Sequence, residues 1–190
     1  KVQYANGNKI EYVYNAVGTR LRKKVTTAPS TVINNYYVGP FQFNDAGLEF
    51  IATKEGRIVP TGVVSGARTF AYEYHIKDHT GSVALAVCDL NNNGVFDKTS
   101  EIIQVTHYYA FGMQQMGISS PVIGTASKFK LGDKELQDEF GLNQYDFTAR
   151  FYDPATARFN GYDPLAETSY DWSPFAYCNI ANSYKEFPTY

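Results

Sequence analysis

Six short turn signals cut the first half of this chain into segments too brief for anything but hairpins. "NGN" stands at 6–8, "NAVGT" at 15–19, "NDAG" at 44–47, "KEG" at 54–56, "HTGS" at 79–82 and "NNNG" at 91–94. Glycine supplies the positive φ at such points, and asparagine or aspartate the side-chain-to-backbone hydrogen bonds, that let a chain reverse. A parallel crossover needs roughly a dozen residues or more between strands, usually as a helix, and these intervals do not hold one. Antiparallel pairing between neighbours is what remains.

The segments between the turns alternate with a period of two. "IEYVYN" places Ile10, Tyr12 and Tyr14 on one side, and "FAYEYHIK" sets Phe70, Tyr72, Tyr74 and Ile76 opposite Ala71, Glu73, His75 and Lys77. Both read as half-buried strands. "SVALAVCDL" and "EIIQVTHYYAFG" are more continuously apolar, β-branched and aromatic, and read as inner strands. Sixteen tyrosines and thirteen phenylalanines, against one tryptophan and two methionines, lean the same way. The expected fold class is all-β, built of antiparallel β-hairpins with at most one short helix. "GDKELQDEFG" (132–141) is the helix candidate, because Leu136 and Phe140 sit four apart, although a strand and a tight turn fit it equally well. "MGISSPVIGTAS" (116–127), small, polar and interrupted by Pro121, is expected to be a loop inside a single domain spanning 1–190.

Composition excludes several functions. A chain of 190 residues can bury roughly two-thirds of its unfolded surface without staples. The formal net charge is −2 and the seventeen lysines and arginines are scattered, so no basic stripe points to nucleic acid. No apolar run approaches the ~20 residues that span a bilayer, and "KVQYANGNKI" lacks the apolar core of a signal peptide. The chain reads as soluble and as starting inside something longer. Cys88 and Cys178 lack the close spacing of a thiolate metal site and read as small buried hydrophobes, with their pairing left open.

The most specific chemical signal is "DLNNNGVFDKTSE" (89–101). Asp89, Asn91, Asn93 and Asp97 take the 1, 3, 5, 9 spacing of an EF-hand-like calcium loop, Gly94 takes position 6, and the Val95 carbonyl would be a fifth ligand. Position 12 is Ser100 instead of a bidentate glutamate, with Glu101 one further on, so the expected Ca²⁺ affinity is weak, about 10⁻⁴–10⁻³ M. The competing reading is an Asn-Gly hairpin turn. His75 and His79 have the spacing of helical zinc ligands, but on a strand they lie roughly 13 Å apart, too far for one ion.

"ARFYDPATARFNGYDP" (149–164) writes nearly one phrase twice and holds two aspartates, Asp153 and Asp163, followed by Pro154 and Pro164. Aspartic chemistry needs two carboxylates sharing a proton. Proline after each aspartate favours an extended residue entering a turn, so the segment reads as two capped turns of a hairpin. No serine elbow, phosphate loop or supported Cys-His pair is present, and no enzymatic activity is expected.

Other stretches carry a family resemblance. "YVYNAVGTRL" (12–21) resembles the Tyr-Asp unit of RHS and YD-repeat proteins, with Tyr12, Tyr14, Gly18, Arg20 and Leu21 in place and Asn15 where the unit has aspartate. "YHIKDHTGSV" (74–83) is similar to the family's His-x-Asp-x-x-Gly-Ser/Asn-Val signature, and "THYYAFGM" (106–113) to its Tyr-x-x-Phe-Gly signature. Residues 131–167, with Arg150, Tyr152, Asp153, Pro154, Arg158, Asp163 and Pro164, resemble the RHS-associated core, and "SPFAYCNIANS" (173–183) continues it. The wording looks most like Bacteroidetes-type versions. The divisions expected are a YD-like unit at 1–27, a hairpin region with the calcium loop at 70–113, the core motif at 128–182 and a divergent tail at 183–190.

The resemblance implies a segment of a β-ribbon shell in a secreted or cell-surface protein that encloses or presents a toxin or effector. Its partners would be further YD repeats of a parent chain and an enclosed C-terminal effector, with self-association possible through open sheet edges. The Asp-Pro-x-Gly-Leu segment that serves self-cleavage in the family is not found, so neither cleavage nor toxin activity is carried over. Two other readings stand beside this one: an extracellular carbohydrate- or protein-binding module, and part of a self-cleaving aspartyl protease core.

Overall fold

A computed structural model describes residues 1–91, 93–117, 120–121, 126–168 and 170–177. Eleven strands follow one another in chain order as a single antiparallel sheet: β1 (Val2–Gln3), β2 (Lys9–Tyr14), β3 (Arg20–Thr27), β4 (Thr31–Val38), β5 (Phe41–Asn44), β6 (Gly47–Thr53), β7 (Gly56–Val64), β8 (Ala67–Lys77), β9 (Val83–Cys88), β10 (Ile102–Val105) and β11 (Ser120–Pro121). A second sheet of four strands holds β12 (Glu135–Gln137), β13 (Gln144–Asp146), β14 (Phe151–Asp153) and β15 (Arg158–Phe159), again in chain order. Among the described residues there is no α-helix. The all-β expectation stands.

Each of the six turn signals joins two consecutive strands. The Asn15 turn shows the physics most fully: Asn15 Oδ1 accepts the backbone N–H groups of Val17 and Thr19, and Gly18 takes φ +82°.

The helix candidate at 132–141 resolves as β12 flanked by 3-10 turns. Gly132, Asp133, Phe140 and Gly141 all have positive φ, which no α-helix accommodates, and the spacing of Leu136 and Phe140 is coincidental. The expected loop at 116–127 contributes the two-residue edge strand β11, paired with β10 at Gln104↔Pro121 and Val105↔Ser120. A proline is tolerated at such an edge. Residues 118–119 and 122–125, like Cys178 and the rest of the tail, lie outside the described residues.

The long sheet is half-buried, and its inward face sets the charged side chains Lys23, Arg57 and Glu73 beside an apolar cluster of Ala71, Ala86, Cys88 and Ile103. On β8, Ala71 and Glu73 are buried while Phe70, Tyr72, Tyr74 and Ile76 are exposed. The same parity runs across the ladder, with Arg57 opposite Glu73 and Ile58 opposite Tyr72. Against the inward face lies the short sheet, whose own core is Leu131, Leu136, Tyr145, Tyr152 and Phe159, with Phe147 and Tyr177 packed on it. Phe129 meets Phe50 edge-on at 5.8 Å, Phe151 meets Tyr12 at 5.4 Å and Phe140 meets Tyr4 at 5.4 Å.

Candidate functional site

The seam between the two sheets is the most chemically elaborate place in the molecule. Glu135 on β12 and Asp146 on β13 are direct cross-strand partners, and two carboxylates so placed repel. Arg20, delivered by the turn before β3, reaches between them and pairs with both. Lys23, three residues further along β3 and brought to the same side by the bulge between Arg20 and Arg22, sets its ammonium 2.9 Å from Glu135 and 2.8 Å from Glu139. Lys128 closes the group at 2.8 Å from Glu139 and 2.6 Å from Asp138. Tyr37 donates its hydroxyl to Glu135 at 3.2 Å, and the Arg20 guanidinium lies 4.2 Å from the centre of the Tyr37 ring.

Burial sets the electrostatics. The Lys23 and Glu135 side chains are only 2% and 3% exposed. Desolvation alone would raise Glu135, but Lys23 and Arg20 outweigh it and hold the carboxyl below its ordinary range. Glu139 is held low in the same manner, its burial overcome by Lys23 and Lys128. Asp146 goes the other way, because burial pushes it up further than Arg20 and the Thr148 N–H pull it down. Desolvation also raises the phenols of Tyr12 and Tyr37 well above the usual range. These carboxylates are locked in ion pairs, and the arrangement is a clasp.

The sequence motifs converge on this short sheet. Arg20 of "YVYNAVGTRL" grips Glu135 and Asp146, while the Tyr12 hydroxyl reaches Gln137 at 3.3 Å. Ser82 of "HTGSV" accepts the Gly132 N–H at 3.3 Å. The Phe-Gly turn offers two carbonyls to the core: Phe111 accepts the Tyr152 hydroxyl at 2.8 Å and Gly112 the Tyr145 hydroxyl at 3.1 Å. Tyr14 and Leu21 lie outside the clasp, 37% and 43% exposed.

The doubled phrase is a hairpin. β14 runs into a turn at Pro154 and returns as β15, with Tyr152 paired to Phe159 and Asp153 to Arg158. Asp153 accepts the Ala155 N–H at 2.9 Å, and Asp163 accepts that of Leu165 at 2.9 Å while pairing with Arg150 at 2.9 Å. Each aspartate caps its own turn, Pro154 is buried and Pro164 exposed. Tyr152 is fully buried and stacks on Tyr177 at 3.9 Å.

In the loop after β9, the polar side chains serve the backbone. Asp89 accepts the Gly94 N–H at 2.9 Å, Asn91 that of Asn93 at 2.9 Å, Asn93 that of Val95 at 2.7 Å and Asp97 that of Thr99 at 2.8 Å. Buried Glu101 closes the loop, accepting from Leu90 at 3.0 Å and Asp97 at 2.8 Å. Among the described residues no three His, Cys, Asp or Glu side chains converge as a metal site. A cation here would have to add the amide oxygens of Asn91 and Asn93 and the Val95 carbonyl to the carboxylates of Asp89 and Asp97, and to displace the backbone N–H groups those side chains now accept. A second buried group sits under β8, where Arg57 grips Glu73 with two bonds of 2.8 Å and His75 adds a third at 2.8 Å.

Sequence reasoning identified Arg20 and missed Lys23, Tyr37, Glu135, Glu139 and Asp146. One signal was available: Lys23 and Val25 share strand parity, as do Tyr37 and Asn35, which places charged or polar groups on an inward face.

A long antiparallel meander with a small sheet clasped to its inward face defines a class of β-ribbon architecture. No family model matches the chain, and no curated protein matches it. Among solved structures it is similar to TcdB2-TccC3, with a TM-score of 0.64 and 16% identity over 87% of this chain. TcdB2-TccC3-TEV gives 0.63 at 18% identity over 87%, and the Photorhabdus luminescens Tc holotoxin pore gives 0.59 at 18% over 86%. In each case the match spans 8% of the other chain. The likeness shows the fold, and it supports the RHS-type shell fold that the motifs imply.

Proposed function

We propose that this chain is a structural wall segment of an RHS/YD-repeat protein, one that is secreted or displayed at the cell surface and encloses or presents a toxin or effector. The carrying observation is the buried clasp of Arg20, Lys23, Glu135, Glu139 and Asp146, which fixes the short sheet to the ribbon. Its charged groups pair with one another, with Arg20 Nε and Glu139 Oε2 buried without a hydrogen-bond partner among the described residues, and catalysis is not part of this reading. Further YD repeats and a C-terminal effector are its partners under the proposal. The test expresses the chain with its flanking sequence and digests it with trypsin. Under the shell reading the downstream segment survives until the wall is unfolded, and digestion as fast as that of the free segment overturns it.

The same proposal gives the 89–101 loop a bracing role, with Ca²⁺ held by Asp89, Asn91, Asn93, the Val95 carbonyl and Asp97. Titration calorimetry should show binding in the ~10⁻⁴–10⁻³ M range. Asp89→Ala with Asp97→Ala should abolish it. Absence of heat at millimolar Ca²⁺, or an affinity unchanged in the double variant, removes the calcium site.

A further inference from the structure

We propose that the exposed aromatic face of the long sheet is a docking surface for a second copy of this chain, packed face to face. On β8, Phe70, Tyr72, Tyr74 and Ile76 stand in one row, and the Tyr72 and Tyr74 rings stack at 6.4 Å. Three strands away a second row rises from β4 and β5, where Tyr36 and Val38 pair with Phe43 and Phe41 and the two phenylalanine rings stack at 6.5 Å. Between the rows lies a floor of lower side chains, Ile51 paired with Phe41 and Ile58 paired with Tyr72.

The profile is ridge, valley, ridge. With strands about 4.8 Å apart, β5 and β8 are roughly 14 Å apart, wide enough to admit one row of aromatic side chains. A two-fold axis midway between the two sheets and parallel to the strands lets the β8 ridge of each copy enter the valley of the other, the self-complementary contact that an isologous dimer needs. Two stacked sheets then pack about 10 Å apart, as in a sandwich.

The area is sufficient. Seven residues of the two ridges are 37–60% exposed. With large side chains carrying about 150–250 Å² each, they present roughly 700 Å² per copy, close to the ~800 Å² per partner of a standard interface and above the ~300–600 Å² patch usual on a monomer. Alternation keeps Glu73 and Lys77 on the other face of β8, and the one charged residue with the aromatic parity, Arg68, stands at the far end of the strand, where it pairs with Val63 and can stay in water. The opposite face of the sheet is already occupied by the clasp and cannot serve.

Sedimentation equilibrium of the purified chain tests the proposal. Dimers are expected at tens of micromolar, and Tyr72→Lys or Ile58→Asp should each raise the dissociation constant at least tenfold while leaving the circular dichroism spectrum unchanged. An equimolar mixture of the two variants should recover association, because Lys on one ridge meets Asp in the other valley. A wild-type monomer at 100 µM overturns the proposal. So does a dimer insensitive to both substitutions, or one lost on placing proline at Gln3 of edge strand β1, which would assign the contact to sheet edges. Where a variant loses its spectrum, Val38→Lys on the second ridge replaces it, and an unchanged dimer there also overturns the docking.

Discussion

Glu135→Ala is expected to destabilise the chain by about 3–5 kcal/mol, the range for removing one partner of a buried ion pair. The carboxylate answers three groups at once: Arg20, the Lys23 ammonium at 2.9 Å and the Tyr37 hydroxyl at 3.2 Å. Without it, two cations stay buried with only Glu139 and Asp146 to compensate. A loss of this size lowers the melting temperature by roughly 6–20 °C in a domain of this length. The first amides to exchange with deuterium should be those of β13 and β14, because the clasp is what holds the short sheet. The paired change Glu135→Leu with Lys23→Met should recover most of the loss, since replacing both members leaves no unpaired charge. If the single variant melts within 2 °C of wild type, the clasp contributes little to the docking.

Acid should act on the same groups. Glu135, Glu139 and Glu73 have folded values below the ordinary 4.5. Their contribution is fully present above that value and is lost as pH falls through the lower folded values. Asp146 is raised, so it opposes the trend: it costs stability when ionised at neutral pH, and that cost is relieved as it takes up a proton. These three depressed groups, with Asp78 and Asp97 shifted the same way, outweigh the one raised carboxylate and give a net loss below about pH 4.5. Glu135→Ala should flatten that loss by removing one of the three.

The strands were legible in the sequence and their orientation was not. Alternation in "FAYEYHIK" defines two faces but does not say which is covered, and ordinary hydrophobic reasoning turns Phe70, Tyr72, Tyr74 and Ile76 inward. The covering sheet arrives some sixty residues later as strands of two or three residues, each too short for periodicity to show. It brings acids, so the face it meets carries Arg20 and Lys23, and the aromatics are left outside. The loop at 89–101 teaches a related lesson. Oxygen side chains at alternate positions with a glycine suit a hard cation, and they suit a chain of side-chain-to-backbone turns equally well. The hairpin at 149–164 was readable because proline after each aspartate restricts the backbone whatever surrounds it.

Gly56→Ala should be comparably damaging, for a reason confined to the backbone. A Cβ at Gly56 would lie 2.0 Å from the Glu73 carbonyl oxygen and 3.1 Å from the His75 nitrogen. Glu73 cannot move aside, because Arg57 grips its carboxylate at two points and His75 at a third. The β7–β8 ladder must therefore part at Gly56↔Tyr74, which costs the flanking bond from the His75 N–H to the Glu55 carbonyl and the packing of the buried Arg57–Glu73 pair. An expected loss of about 3–5 kcal/mol follows, among the larger effects of a single substitution. Gly18→Ala is the control: its φ of +82° is strained for alanine, yet nothing lies within 4 Å of the added Cβ. That change should cost only about 1–2 kcal/mol. Denaturant melts of the two variants separate the causes, and equal losses would mean that conformation, not close approach, governs the β7–β8 pairing.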